Sequence, residues 1–213
     1  MAKIDFAHKA QRKMFEAILD SVIKHSNSDR TKAIKQLVDL VKKTMYDIWG
    51  SATYEMFGFS SKPDSKWMKY IDNLLNDVHP NIIKAKALNT AYEAGYRGFR
   101  IAQDMKKKHD INIPWIILVD PTSACNLKCT GCWSAEYGHL IQLSYEELDR
   151  IITEGEELGI YAWLMTGGEP LIRKADILKL AEAHPYSSFH IFTNGTLIDD
   201  AFCEEVVRLG NIA

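Results

Sequence analysis

Cys125, Cys129 and Cys132 stand at i, i+4 and i+7 in the stretch Asp-Pro-Thr-Ser-Ala-Cys-Asn-Leu-Lys-Cys-Thr-Gly-Cys-Trp, residues 120–133. They are three of the chain's four cysteines. One face of a helix would also give that spacing. Pro121, Asn126, Thr130 and Gly131 oppose a helix here, and no apolar stripe accompanies the thiols. A loop instead lets three thiolates converge on one metal centre. Zinc is one candidate, but structural zinc sites usually pair two cysteine knuckles and need a fourth ligand. Only one half of such a pattern is present. Cys203 or His139 would have to complete a Cys₄ or Cys₃His set, and neither has knuckle spacing. Iron–sulfur clusters typically take four cysteines. Three local ones leave one iron of a 4Fe–4S cluster without a protein ligand, the open position that a substrate-binding metal site requires.

Two further loops carry unusual residues: Gly167-Gly168-Glu169-Pro170 and Thr193-Asn194-Gly195-Thr196. The elements between them set their positions. Ile113 to Val119 is rich in β-branched residues and reads as a buried strand. Ser144-Tyr145-Glu146-Glu147 is a capping box, with Leu143 and Leu148 placed as a hydrophobic staple, so a helix starts there and stops at Gly159. Strands are expected at 160–165 and 188–192. Helices are expected from Pro170 to about His184-Pro185 and from Asp199 to Leu209. Alternation of strand and helix implies βα units and a parallel sheet. Sites in such folds gather at the C-terminal ends of the strands, where all three loops fall.

Before Ile113 the pattern is helical. Phe15, Ile18, Leu19, Val22 and Ile23 form a stripe over 6–24. A second helix carries Ile34 to Ile48, after cap candidates at Ser26–Asp29 and before a stop at Gly50. Tyr54, Phe57 and Phe59 sit in a loop, and Pro63-Asp64 opens a helix bearing Trp67 and Leu74. A longer helical stretch runs from Pro80 to about Lys108, with Gly95 and Gly98 placed to bend or split it. Lys106-Lys107-Lys108-His109 suits the negative end of a helix dipole. The domain division expected is therefore 1–110, helical, and 111–213, α/β.

A formal net charge of −2 gives no global basic field for nucleic acid. No apolar run approaches the roughly 18–20 residues of a membrane span, and the first residues lack a signal-peptide core. A cytoplasmic location is the expectation, and clustered cysteines in a reducing compartment point to metal or redox chemistry.

The CxxxCxxC of Cys125, Cys129 and Cys132 after a strand, with Gly167-Gly168-Glu169-Pro170 after the next strand, resembles the radical S-adenosylmethionine (radical SAM) superfamily and its GGEP motif. The resemblance covers about residues 113–213, and Thr193-Asn194-Gly195-Thr196 agrees with it. It implies a partial TIM barrel and a 4Fe–4S cluster held by the three cysteines. It implies SAM bound through its amino and carboxylate groups at the open iron. One-electron reduction, by a donor such as flavodoxin or ferredoxin, would cleave SAM to methionine and a 5′-deoxyadenosyl radical. That radical would abstract hydrogen from a substrate, an oxidoreductase-type reaction. By the same analogy Gly167, Gly168, Glu169 and Pro170 bind the cofactor: the glycine backbone approaches the methionyl end, and Glu169 or the backbone beside it meets the ammonium. Asn194 is either a further cofactor contact or a turn residue tolerating positive φ. The family often has an aromatic immediately before the third cysteine. This chain has Gly131 there, and Trp133 follows instead, as a shield for the cluster or a core tryptophan.

Six βα units need roughly 190 residues, scaled from about 250 for eight. The 101 residues from Ile113 to Ala213 accommodate three. A truncated, half barrel is therefore expected, with the strand-three edge open. Cys203, beside Phe202 and Val206, reads as a buried structural thiol. Glu136, Tyr137 and His139 follow the cysteine loop, and the sequence does not decide whether they face the site. The alternative to the enzyme is a non-catalytic zinc or iron–sulfur module serving structure or protein contact.

Overall fold

The computed structural model describes residues 6–24, 65–134 and 140–213, together with Lys32, Ile34, Lys35, Val38, Asp39, Lys42, Glu55 and Gly138. The Ser26–Asp29 caps, Gly50, Tyr54, Phe57, Phe59, Pro63-Asp64, Glu136, Tyr137 and His139 lie outside the described residues, as does most of the second helix. The chain divides into two compact units between Lys84 and Ala85.

In the first unit, α1 (Phe6–Lys24) and α2 (Lys66–Asp77) follow the apolar stripes. Val22, Ile34 and Met68 form a small core, with Val38, Ile71 and Leu75 packed on it. Ser65 caps α2 by accepting the Met68 amide at 3.1 Å. Lys84 pairs with Glu16 at 3.1 Å and Asp20 at 3.5 Å.

The expected long helix is three elements: α3 (Pro80–Lys86), a π-helix (Ala87–Gly98) and α4 (Phe99–His109). Most π-helices are single turns, and this one runs twelve residues. It contains Gly95 and ends at Gly98, the two glycines placed to perturb the helix. Gly98 also serves packing. A Cβ there would lie 2.2 Å from the Gly159 carbonyl oxygen, so the backbones approach only because neither residue has a side chain. Asn89, fully buried, donates to the carbonyls of Pro185 and Ser187, each at 2.9 Å. Lys86 Nζ donates to Ser188 Oγ at 3.0 Å and the Phe189 carbonyl at 2.8 Å. Burial pulls the Lys86 ammonium down to a pKa of about 8.

The sheet is parallel in the order β1 (Ile116–Thr122), β2 (Ala162–Gly167), β3 (Ser188–Ile191). Three helices alternate with it: α5 (Tyr145–Glu157), α6 (Lys174–Ala183) and α7 (Asp200–Leu209). The expected βα architecture of a partial α/β barrel is therefore present. Val119, Trp163, Met165 and Phe189 from the strands meet Leu148, Ile152, Ile177, Leu180 and Phe202 from the helices in one core. The capping box starts α5: Ser144 Oγ accepts the Glu147 amide at 3.1 Å, and Glu147 Oε2 accepts the Ser144 amide at 2.8 Å.

Two expectations need correction. The first strand begins three residues late and runs on through Asp120, Pro121 and Thr122, and it is covered on one face only. Val119 is buried while Leu118 is 56% exposed. A continuous apolar run does not distinguish one covered face from two. The edge of β3 is also not open. Phe189 N donates to Asn211 O at 2.8 Å, Ala213 N to Phe189 O at 2.9 Å, and Ile191 N to Ala213 O at 2.7 Å. Phe189 and Ile212 thereby form a parallel bridge. Asn211, buried, secures this segment by donating to the carbonyls of Ala181, His184 and Ser187. Among the described residues no helix is long and apolar enough to cross a membrane.

Candidate functional site

Each of the three unusual loops leaves the C-terminal end of a strand, as expected. The cysteine loop is tied at its base. Thr122 Oγ1 accepts the Ala124 amide at 3.1 Å. Ser123 N donates to Ile141 O at 2.8 Å, and Ile141 N returns to Ser123 Oγ at 3.1 Å. Thr122 and Gln142 form an antiparallel bridge. Arg173, not singled out from the sequence, locks the returning strand: its Nη1 donates to the Leu143 carbonyl at 2.7 Å, and its Nε donates to Asp176 Oδ2 at 2.6 Å.

Above that base, Cys125, Cys129 and Cys132 line one cavity of about 290 Å³ together with Ser123, Lys128 and Gly168. Leu127 N donates to Cys125 Sγ at 3.4 Å, and Cys132 N to Cys129 O at 3.3 Å. Gly131 has φ +75°, and a Cβ there would meet nothing within 4 Å. Among the described residues no three His, Cys, Asp or Glu groups converge on a point that would hold a single metal ion. Three thiols around one cavity are a donor set for either zinc or an iron–sulfur cluster.

The Gly167-Gly168 turn lies against the cysteine loop. Gly168 N donates to Thr122 O at 3.0 Å, and Glu169 N to Ala124 O at 2.8 Å. A Cβ on Gly168 would stand 2.1 Å from the Ala124 carbonyl oxygen. Gly167 has φ +105°, a region side chains avoid. The close approach these glycines permit is thus, first, to the neighbouring loop, while Gly168 also forms part of the cavity wall. Pro170 opens a short 3₁₀ helix, Pro170–Arg173, and is buried.

Glu169 is 1% exposed. Its Oε1 accepts the Leu171 amide at 2.8 Å and the Thr193 hydroxyl at 2.7 Å, and its Oε2 accepts the Asn194 amide at 2.8 Å. The carboxylate therefore joins the second loop to the third. Asn194 Nδ2 donates to Asn126 Oδ1 at 2.9 Å, and Asn126 Nδ2 donates to Thr196 Oγ1 at 2.7 Å. In the sequence Asn126 counts only against a helix and Thr196 only as part of the third loop; their link is a finding of the structure. The available signal was the asparagine directly following the first cysteine.

Cys203 corrects another expectation: it is exposed and does not line the cavity. Phe202 is the buried residue of α7, and the residue after it lies about 100° round the helix. Trp133 is 55% exposed and is not a core tryptophan.

Residues 119–213 match the Radical SAM superfamily. The GTP 3′,8-cyclase of Syntrophomonas wolfei is 36% identical over 114 residues, 50% of this chain and 34% of that protein. The PqqA peptide cyclase of Granulibacter bethesdensis is 34% identical over 105 residues, 47% of this chain and 28% of that protein. The GTP 3′,8-cyclase of Thermodesulfovibrio yellowstonii is 35% identical over 114 residues, 50% of this chain and 35% of that protein. The chain thus spans about a third of the length of these relatives. No solved structure matches significantly. Members of the superfamily use a 4Fe–4S cluster and S-adenosylmethionine.

Proposed function

We propose, from the match of residues 119–213 to the radical SAM superfamily, that this chain is a radical SAM protein and that Cys125, Cys129 and Cys132 hold a 4Fe–4S cluster with one iron open to SAM. The observation that carries this reading is the cavity lined by all three thiols and by Gly168 of the GGEP turn. The cluster and SAM, when bound, supply one-electron cleavage of SAM to methionine and a hydrogen-abstracting 5′-deoxyadenosyl radical.

The chain's own residues do the positioning. Gly168 keeps the cavity wall free of a side chain at the point where the methionyl end of SAM would enter. Lys128 brings a positive charge to the wall, which favours an anionic ligand there. Glu169 acts by fixing the second and third loops relative to each other, with the backbone beside it left to meet the SAM ammonium. Pro170 holds the turn that presents them. Residues 111–213 are the core in this reading, and 1–110 a helical region whose role stays open. A one-electron donor such as flavodoxin or ferredoxin and a cytoplasmic, reducing setting go with cysteine ligands.

The relatives are named for cyclising GTP and the PqqA peptide. The same matched segment thus accompanies a nucleotide and a peptide. On our reading it encodes radical initiation by hydrogen abstraction, an oxidoreductase-type step, and the substrate stays open.

Anaerobic reconstitution of the chain with iron and sulfide tests the proposal. The expected result is about four irons per chain and an electron paramagnetic resonance signal of the reduced cluster that changes on adding SAM. Tight stoichiometric zinc, with no cluster and no response to SAM, would overturn it in favour of a non-catalytic module.

A further inference from the structure

We infer that Asn126, Asn194 and Thr196 form a clamp that positions the Cys125 side of the cluster loop; this deepens the cluster reading and rests on it. The three side chains close a ring of hydrogen bonds. Asn194 Nδ2 donates to Asn126 Oδ1 at 2.9 Å, Asn126 Nδ2 donates to Thr196 Oγ1 at 2.7 Å, and Thr196 Oγ1 donates to Asn194 Oδ1 at 2.7 Å. Every donor in the ring meets an acceptor, so each bond polarises the next.

One side of the ring is stiff. Asn194 Oδ1 also accepts the Thr196 amide at 3.0 Å, and Thr193 Oγ1 accepts the Gly195 amide at 3.0 Å. Both residues are seated on the buried Glu169 carboxylate. The other side is Asn126, the residue directly after Cys125. The clamp therefore links the third loop to the first cysteine of the cavity, across 68 residues of sequence.

Asn126, Asn194 and Thr196 are all exposed. Hydrogen bonds made in competition with water add little to global stability. Their effect is local: they hold the Cys125 loop at the cavity. Asn126 and Asn194 are positioning residues that act through Cys125.

Thiol labelling of the cluster-free, reduced chain tests this independently of the cluster. A pulse of iodoacetamide is followed by mass spectrometry at each cysteine. Labelling of Cys125 is expected to rise about threefold to tenfold in Asn126→Ala and in Asn194→Ala, the change in loop opening that one or two hydrogen bonds give. Thr196→Val behaves the same way, and Thr196→Ser restores the slow rate. The Asn126→Ala/Asn194→Ala double variant labels no faster than either single one, because each removes the same link. Cys203 labelling and the thermal midpoint stay as in the unsubstituted chain. In the reconstituted chain, iron release to a chelator accelerates in the same variants. Unchanged Cys125 labelling, or additive effects in the double variant, overturns the clamp. A thermal midpoint lowered in the same variants also overturns it, by showing a general loosening. An unsubstituted chain that takes up no cluster overturns the proposed function instead.

Discussion

Glu169 Oε2 accepts the backbone amide of Asn194 at 2.8 Å, from a carboxylate that is 1% exposed. The turn after β2 and the turn after β3 are therefore one unit, built on a single buried acid with three donors. Glu169→Ala leaves the Leu171 amide, the Thr193 hydroxyl and the Asn194 amide without their acceptor. The expected loss is roughly 3 kcal/mol in urea unfolding. Glu169→Gln keeps one acceptor oxygen and costs about half as much. A loss below about 1 kcal/mol for the alanine variant would show that the carboxylate is not the anchor.

Single Cys125→Ser, Cys129→Ser and Cys132→Ser variants should each hold less than about a tenth of the iron of the unsubstituted chain after anaerobic reconstitution, since a three-cysteine site has no spare ligand. Cys203→Ser should match the unsubstituted chain, because its thiol is exposed on α7 and away from the cavity. Iron assay with sulfide assay reads both. Retention of a full cluster by any one of the three variants would remove that cysteine from the ligand set.

Two glycines of the site should respond differently to alanine. Gly168→Ala places a methyl 2.1 Å from the Ala124 carbonyl oxygen and forces two loops apart. About 3 kcal/mol or more of stability should go, and cluster uptake with it. Gly131→Ala has open space around it, so it bears only the left-handed backbone cost of about 1–2 kcal/mol. Thermal unfolding of both variants ranks them, and equal losses would contradict the contact.

His184 supplies a pH dependence. Its Nε2 lies 3.1 Å from Asp149 Oδ1, and its Nδ1 lies 3.2 Å from Glu156 Oε1. Ser187 Oγ also donates to Glu156, at 2.8 Å, and Trp163 Nε1 donates to Ser187 Oγ at 3.1 Å. Burial pulls the His184 imidazole down, but the hydrogen bonds and charges of Glu156 and Asp149 outweigh it and raise the group above its ordinary value. A raised imidazole contributes stability that is fully present below the unfolded value of about 6.5 and is lost as pH rises through the folded value. Urea midpoints should therefore fall as pH rises above about 6.5. His184→Gln should flatten that fall and lower the midpoint most at the acid end. An unchanged slope in the variant would assign the pH dependence elsewhere.

The parts of this molecule that were legible are those whose partners are near in sequence. Ser144 and Glu147 cap each other across one helical turn, so the start of α5 could be read directly. Gly159 stops a helix through its own backbone, with φ of +93°. The three thiols share a loop because local residues oppose a helix. Other features depend on distant partners. The partners of Glu169 on the third loop are 24 and 25 residues away, and its carboxylate faces a loop where the motif pointed to a cofactor. Strand β1 extends through Pro121 because Thr122 pairs with Gly167 on one side and Gln142 on the other. Neither pairing leaves a mark in residues 113–122 themselves. Cys203 was assigned to the covered side of α7 from composition, but packing decides which face of a helix turns inward, and Phe202 took that place.

Strand β1 has a practical consequence for anyone purifying this chain. Among the described residues, 116–119 pair only with β2, and Ile116 and Leu118 stand exposed beside Trp115. A row of unpaired backbone groups flanked by apolar side chains invites a second molecule to add its own strand. Colloidal behaviour will then be governed by concentration, and light scattering should rise on concentrating the protein before any unfolding is seen. A lysine at position 118 would place a charge on that surface without entering the core or the cavity, making Leu118→Lys the natural first change for keeping the chain monodisperse.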